Sequence, residues 1–388
     1  MPKKPFIPYG RQDVTQDDIE NVANILKSDF LTQGPCVPEF EKKVSEYCGV
    51  KHAVALNSST SALHISCLSL GLKAGDWLWT SPITFVASAN CGLYCGAKVD
   101  FIDIDPETYN LCPKALKKKL IQAKKVGKLP KIIVPVHLSG QSCDMKAIHE
   151  LSKEFNFKII EDASHAIGGR YLDEPVGNCK YSDITVFSFH PVKIITTGEG
   201  GMALTNNSVI AERISILRSH GITRDPKLMT HQPDGDWYYQ QIDLGFNYRM
   251  TDIQAALGIS QLKRLDSYVS RRHELAMRYN NLLKDLPLII PYQNSDNYSS
   301  FHLYIIRLRD RKKHKQTFEY LRKENIGVNL HYIPIHMHPY YSEIDTEYHD
   351  LKQSELYYKD AISIPLYPAM TELEQDFVIS SLEKVLQI

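Results

Sequence analysis

Between residues 52 and 162 the chain alternates short apolar runs with amphipathic ones, and that alternation most constrains its fold. Residues 52–56, 77–80, 99–103, 131–136 and 158–160 read as strands. Residues 61–70, 85–95, 113–125 and 145–155 read as helices between them. Strand–helix repetition of this kind implies an α/β fold with a mainly parallel central sheet flanked by helices on both faces. In such a sheet the ligand site lies outside the C-terminal ends of the strands. The residues just after each strand are therefore where chemistry is sought.

The flanks are less regular. Residues 15–27 read as a helix capped by Thr15, with Ile19, Val22, Ala23 and Leu26 making one apolar face, and residues 38–47 read as a second helix. Residues 207–219 read as an exposed helix, 225–241 as a polar, aromatic insertion, and 250–269 as one helix. A Pro/Asn-rich break near 287–297 precedes a new alternating segment that starts at Phe301. The expected division is a large domain over residues 1–249 and a smaller C-terminal α+β domain over residues 250–388.

Composition narrows the function classes. The 45 basic and 45 acidic residues cancel, so no global field draws the chain to nucleic acid or an anionic membrane. Lys117, Lys118 and Lys119 lie on a helix with Leu116 and Leu120 and read as a solvated face. No apolar run approaches the roughly 18 residues of a membrane span, and the first residues lack a signal peptide's apolar core. The eight cysteines form no C-x-x-C pair, which suits reduced thiols. A cytoplasmic protein is expected.

One lysine stands out. The apolar run 184–187 leads through Ser188, Phe189, His190, Pro191 and Val192 to Lys193, and then to the cluster Gly198-Glu199-Gly200-Gly201. Pro191 keeps the chain from continuing as sheet, and glycines permit a sharp left-handed turn. A desolvated lysine there can act as a nucleophile; a solvated loop lysine is the plain alternative.

Three further strand ends change that balance. Asn57-Ser58-Ser59-Thr60 precedes a helix, so Ser59 and Thr60 suit a phosphate, or simply an N-cap. Phe85 follows the second strand and could stack on a flat ring, or be core. Asp162 ends a strand and could pair with a protonated pyridine nitrogen, or cap a turn. A phosphate cradle, a stacking ring, an acid and a lysine in one order describe pyridoxal 5'-phosphate (PLP). A dinucleotide fold is disfavoured because no G-x-G-x-x-G follows an early strand, and no P-loop is present. His336 and His338 could share a strand face, but without a cysteine or carboxylate no metal is expected.

These residues carry a resemblance. The segments 57–63, 84–87, 161–166, 187–201 and 245–250 are similar to those of the DegT/StrS nucleotide-sugar aminotransferases, a group of fold type I PLP enzymes. The segments 29–35, 80–85, 189–193 and 217–225 resemble the branch of UDP-4-amino-4,6-dideoxy-N-acetyl-altrosamine transaminases, which makes the pseudaminic-acid precursor. The resemblance implies that Lys193 is the Schiff-base lysine, that Asp162 binds the pyridinium nitrogen and that Ser188 holds the phosphate. It implies that Asn247 reaches the neighbouring subunit's site, hence a homodimer with shared sites. It places the sugar nucleotide against Tyr9, Asp29, Phe30, Leu31 and Thr32, against Ser59, Ser188 and Asn247, and against Asn329, Leu330, His331 and Tyr332.

Two departures are visible. Ser59 replaces a common glycine, and His165 replaces a common glutamine; either side chain at 165 can bond the ring's phenolic oxygen, but histidine can titrate. The implied activity is amino transfer from L-glutamate to C4 of a UDP-linked 4-keto-6-deoxy-N-acetyl hexosamine. Another nucleotide-linked keto sugar would fit as acceptor. A dehydratase on the same fold is disfavoured by retention of Lys193, and a ligand sensor by the Asp162/Lys193 pair.

Overall fold

The computed structural model describes residues 5–344 and 350–386 and builds them around a seven-stranded sheet. In chain order the elements are α1 (Gln16–Leu26), α2 (Cys36–Cys48), β1 (His52–Leu56), α3 (Ser59–Ser69), β2 (Trp77–Thr80), α4 (Ala87–Tyr94) and β3 (Lys98–Phe101). Then come α5 (Pro113–Lys125), β4 (Ile132–Val134), α6 (Met145–Phe155), β5 (Lys158–Asp162), β6 (Ile184–Ser188), β7 (Gly201–Thr205) and α7 (Ser208–Leu217). The strand order is β1-β7-β6-β5-β4-β2-β3. β7 alone runs antiparallel to its neighbours, so the sheet is parallel but for one strand.

The period-two alternation along each strand sorts its side chains between two layers. Leu56, Leu78, Val134, Ile160 and Val186 face α3, α4 and α7 in one core. Trp79, Ile133 and Ile159 face α5 and α6. Ala55, Phe187, Met202 and Leu204 pack with residues of α2 and the later helix α8 (Asp252–Leu262). The expected sheet with helices on both faces is therefore present.

Three local readings are corrected. The apolar side of α1 is only partly covered: Val22 and Ala23 are half-buried, Ile19 and Leu26 are 54% and 60% exposed, and Asp18 is the buried residue. Asp18 accepts from Arg264 Nη2 at 2.6 Å, Gln261 Nε2 at 2.8 Å and the Thr15 amide at 2.9 Å, so charge rather than oil attaches this helix. The expected helix over 250–269 is two helices, α8 and α9 (Leu265–Leu283), parted where Arg264 turns toward Asp18. Helix α7 is not simply exposed, since Ala211, Ile214 and Leu217 join the core.

Past α9, the strands β8 (Leu288–Ile289), β9 (Tyr304–Leu308) and β10 (Ala361–Ile364) form an antiparallel sheet in that order. Helices α10 (His314–Lys323) and α11 (Glu372–Leu386) pack on it around Tyr304, Ile306, Leu321 and Leu382. Ile7 enters the same core and bridges Ile326, so the N-terminal segment is fastened here and delivers Tyr9 toward the main sheet. No described helix is long and apolar enough to cross a membrane.

Candidate active site

Where β6 ends, the chain forms a closed loop. Phe189 donates its amide to Gly200 O at 2.9 Å, while its own carbonyl accepts from Thr197 N and Thr196 Oγ1 at 3.0 and 2.9 Å. Phe187 and Phe189 are fully buried, and each contributes about 1.5–3 kcal/mol of apolar burial that fixes the loop's base. At its tip the Lys193 amide donates to His190 O at 2.9 Å. Lys193 projects into a cleft of about 610 Å³. Burial pushes its amine down to about 8 from its ordinary value, against the opposing pull of Asp162.

The glycine cluster works differently from the sequence expectation. Only Gly198 of the four-residue cluster takes a left-handed φ, +80°. Gly201 instead makes room: a Cβ there would sit 2.4 Å from the Ser58 carbonyl group and the Ser59 amide nitrogen. β7 thus presses its first residue against the turn that follows β1. In that turn Ser58 is the N-cap of α3, accepting from the Ser61 amide at 3.1 Å. Ser59 and Thr60 are left as the helix's first residues, whose amides have no partner within the helix, and both line the cleft.

Asp162 ends β5 and is nearly buried. Its Oδ2 accepts from Ser88 Oγ at 2.6 Å, and its Oδ1 accepts from Ser164 N at 3.1 Å and Ser164 Oγ at 2.5 Å. Ser88 also bonds Thr84 Oγ1 at 2.7 Å. Sequence reasoning did not pick out Ser88 or Ser164. The Thr84/Ser88 spacing of one helical turn was the available signal.

The opposite wall comes from the segment after α10. Asn329 bridges Ser363 of β10. Asn329 Nδ2 donates to His331 Nε2 at 3.3 Å, which leaves His331 Nδ1–H to donate to Ser363 Oγ at 2.8 Å. Burial and the nearby Lys193 push His331 down to about 3. The His331–Tyr332 peptide is cis. Tyr332 hydroxyl meets His165 Nε2 at 3.1 Å, and its ring lies 6.3 Å from that of Phe85. Phe85 is 59% exposed, so it offers a face to the cleft rather than filling the core.

The cleft brings together most of the residues singled out in the sequence. Lys193, Asp162, His165, Ser188, Phe85, Ser59 and Thr60 line it from the sheet side. Tyr9, Asn329, Leu330, His331 and Tyr332 line it from the other. Asp29, Phe30, Leu31, Thr32 and Asn247 do not line this chain's own cleft, and all five are exposed. His190, Val192 and Glu199 also line it and had no sequence signal of their own.

These residues fit PLP. A helix start with free amides, kept open by a glycine that no other residue can replace, suits the phosphate. A buried, hydrogen-bonded carboxylate suits a pyridinium nitrogen, and a lysine amine desolvated on the cleft floor suits an aldehyde.

The aminotransferase family model DegT/DnrJ/EryC1/StrS matches residues 12–383. The chain belongs to that family. A Campylobacter jejuni protein named UDP-4-amino-4,6-dideoxy-N-acetyl-beta-L-altrosamine transaminase is 38% identical over 98% of this chain and 98% of its own. The structure of Helicobacter pylori PseC, described as an aminotransferase involved in pseudoaminic acid biosynthesis, superposes with a TM-score of 0.90 at 31% identity over 99% of this chain and 100% of its own. Spr1654 from Streptococcus pneumoniae, solved in a PLP-form, gives a TM-score of 0.88 at 28% identity over 99% of both chains. The protein is a PLP-dependent sugar aminotransferase of the fold type I architecture.

Proposed function

We propose that this aminotransferase moves the amino group of L-glutamate to C4 of a UDP-linked 4-keto-6-deoxy-N-acetyl hexosamine. The observation that carries the reading is the placement of Lys193 and Asp162 on one cleft floor beneath Tyr9, His331 and Tyr332. The C. jejuni relative's name supports the sugar and the nucleotide.

Bound PLP supplies an electron sink for the pair released at the carbon that carries the amine. Ser59, Thr60 and Ser188 would hold the phosphate. Phe85 would pack against the ring, and Asp162, fixed by Ser88 and Ser164, would keep the ring nitrogen protonated. Lys193 Nζ anchors the group and then takes and returns the proton at the reacting carbon. Its depressed basicity, about 8, suits a proton carrier near neutral pH.

The exposed Ile19, Leu26, Phe30 and Leu31 and the exposed Asn247 support a homodimer in which the 29–32 loop and Asn247 complete the partner's cleft. The eight free cysteines support a reducing, cytoplasmic setting.

Kinetics with three acceptors test the substrate. The UDP-linked keto sugar should turn over efficiently, because the distant nucleotide orients the keto carbon; the free sugar should lose rate as well as affinity. Simple 2-oxo acids should react only in the donor half-reaction. Equal turnover of free and UDP-linked sugar would remove the nucleotide from the reading.

A further inference from the structure

His165 lines the cleft, and its surroundings determine which of its nitrogens bears the proton. Its Nδ1 faces the Ser139 backbone amide at 3.3 Å. An amide can only donate, so Nδ1 is an acceptor and the ring proton sits on Nε2. Nε2–H then donates toward Tyr332 hydroxyl at 3.1 Å, at the wall of the cleft.

The amide of Ser139 does not point at His165 by chance. Ser139 takes a left-handed φ of +62°, which a residue with a Cβ seldom adopts. Its carbonyl accepts from the His302 amide at 2.8 Å. The next residue, Gly140, accepts from the Ser300 amide at 3.1 Å, and Ser300 Oγ donates to the His165 carbonyl at 2.6 Å. Residues 300–302 therefore clamp both the Ser139 turn and the His165 backbone.

The His302 ring completes the clamp. It lies 4.3 Å from the His165 ring, tilted by 48°, and is 4% exposed. Its buried Nδ1 finds no hydrogen-bond partner among the described residues, a cost that folded proteins ordinarily avoid. Behind it, the fully buried Arg272 donates to the carbonyls of Phe301, His302 and Leu366, with no carboxylate among those partners. The groups that face His165 are thus Lys193 from the β6 loop, His331 and Tyr332 from the far wall, and His302 backed by Arg272. Asp162 lines the same cleft, with its carboxylate engaged by Ser88 and Ser164.

We propose that His302 and the Ser139 turn are positioning residues that fix His165 in its Nε2–H form, giving the cleft a constant hydrogen-bond donor of the kind a glutamine amide supplies. Burial, Lys193 and His331 act in the same direction, each disfavouring a charge on His165. The histidine that could have served as a pH-sensitive group is thereby made insensitive to pH. That this donor turns from the Tyr332 hydroxyl to the phenolic oxygen of bound PLP rests on the functional reading above; the tautomer does not.

The test uses cofactor-free protein labelled with 15N-histidine and a long-range 1H–15N correlation, with the His165 signals assigned by their loss in His165→Gln. The native protein should show His165 neutral and protonated on Nε2 from about pH 5 to 8. In His302→Leu, or in His302→Gln should the leucine variant not fold, His165 should show both tautomers or titrate inside that window. The PLP-loaded variant should gain a matching inflection in its visible absorbance. A native His165 protonated on Nδ1, or a folded His302 variant with unchanged His165 signals, would overturn the proposal. Failure to aminate a UDP-sugar would touch the substrate reading alone.

Discussion

Ser88 Oγ donates to Asp162 Oδ2 at 2.6 Å, so the first turn of α4 steadies the carboxylate at the end of β5. Asp162→Asn should still bind PLP but lose several kcal/mol of transition-state stabilisation, because the ring nitrogen is no longer held protonated. Ser88→Ala should cost less, about 1.5–3 kcal/mol, as loss of one hydrogen bond to a charged acceptor. Steady-state kcat separates the two; near-normal turnover in Asp162→Asn would place the acid elsewhere.

Lys193→Ala should bind PLP without a covalent link and lose turnover. Borohydride treatment followed by mass spectrometry reads this directly: native protein gains the cofactor's mass, and the variant does not. Amino transfer surviving in the variant would end the assignment of Lys193.

The depressed basicity of Lys193 has a signed pH consequence. Burial lowers its value to about 8, so the neutral, nucleophilic amine predominates above that pH and is depleted below it. Covalent capture of added PLP by cofactor-free protein should accelerate as pH rises through about 8, not through the ordinary lysine value near 10.4. The same shift makes the cofactor-free fold gain stability as pH rises from about 8 toward the unfolded-state value, since the unfolded chain binds the proton more tightly. Stopped-flow absorbance and thermal melts check the two parts.

Composite sites predict complementation. Inactive Lys193→Ala chains mixed with inactive Asn247→Asp chains should regain part of their activity, because one heterodimer site then lacks both lesions. No recovery, with subunit exchange demonstrated, would put Asn247 outside the partner's site.

Helix α1 separates two kinds of stability. Asp18→Ala leaves Arg264 without its carboxylate in a partly buried position, a loss of about 3–5 kcal/mol if the pair behaves as a buried one. Ile19→Glu and Leu26→Glu change only exposed positions and should leave the single chain's fold intact while weakening self-association. Sedimentation and melting curves distinguish these outcomes.

The main sheet was legible because its strands are buried on both sides and bounded by turn residues, and residues 52–56, 77–80, 113–125 and 145–155 fall where the pattern put them. The site was legible where one residue type has few other uses at a strand end, as at Lys193 and Asp162. It was not legible where the partner is remote in sequence. Nothing near Asp18 announces Arg264, and periodicity puts Ile19 and Leu26 on an apolar face without telling a core from a surface left open. Nor does any local pattern link His302 to His165, 137 residues apart (302 − 165). Glycine at 201 reads as a turn former, although its use is to let one backbone approach another.

The antiparallel placement of β7 sets an order of assembly. Within the sheet β1 hydrogen-bonds to β7 alone, and β7 begins at Gly201, long after β1 has left the ribosome. The growing chain can pair β2, β3, β4 and β5 as they emerge, while β1 and the start of α3 wait for a strand almost 150 residues downstream, a contact expensive in loop closure. The turn that carries Ser59 and Thr60 therefore closes only after Lys193 has been synthesised. Nascent chains stopped before residue 201 would hold most of a sheet and no place for a phosphate.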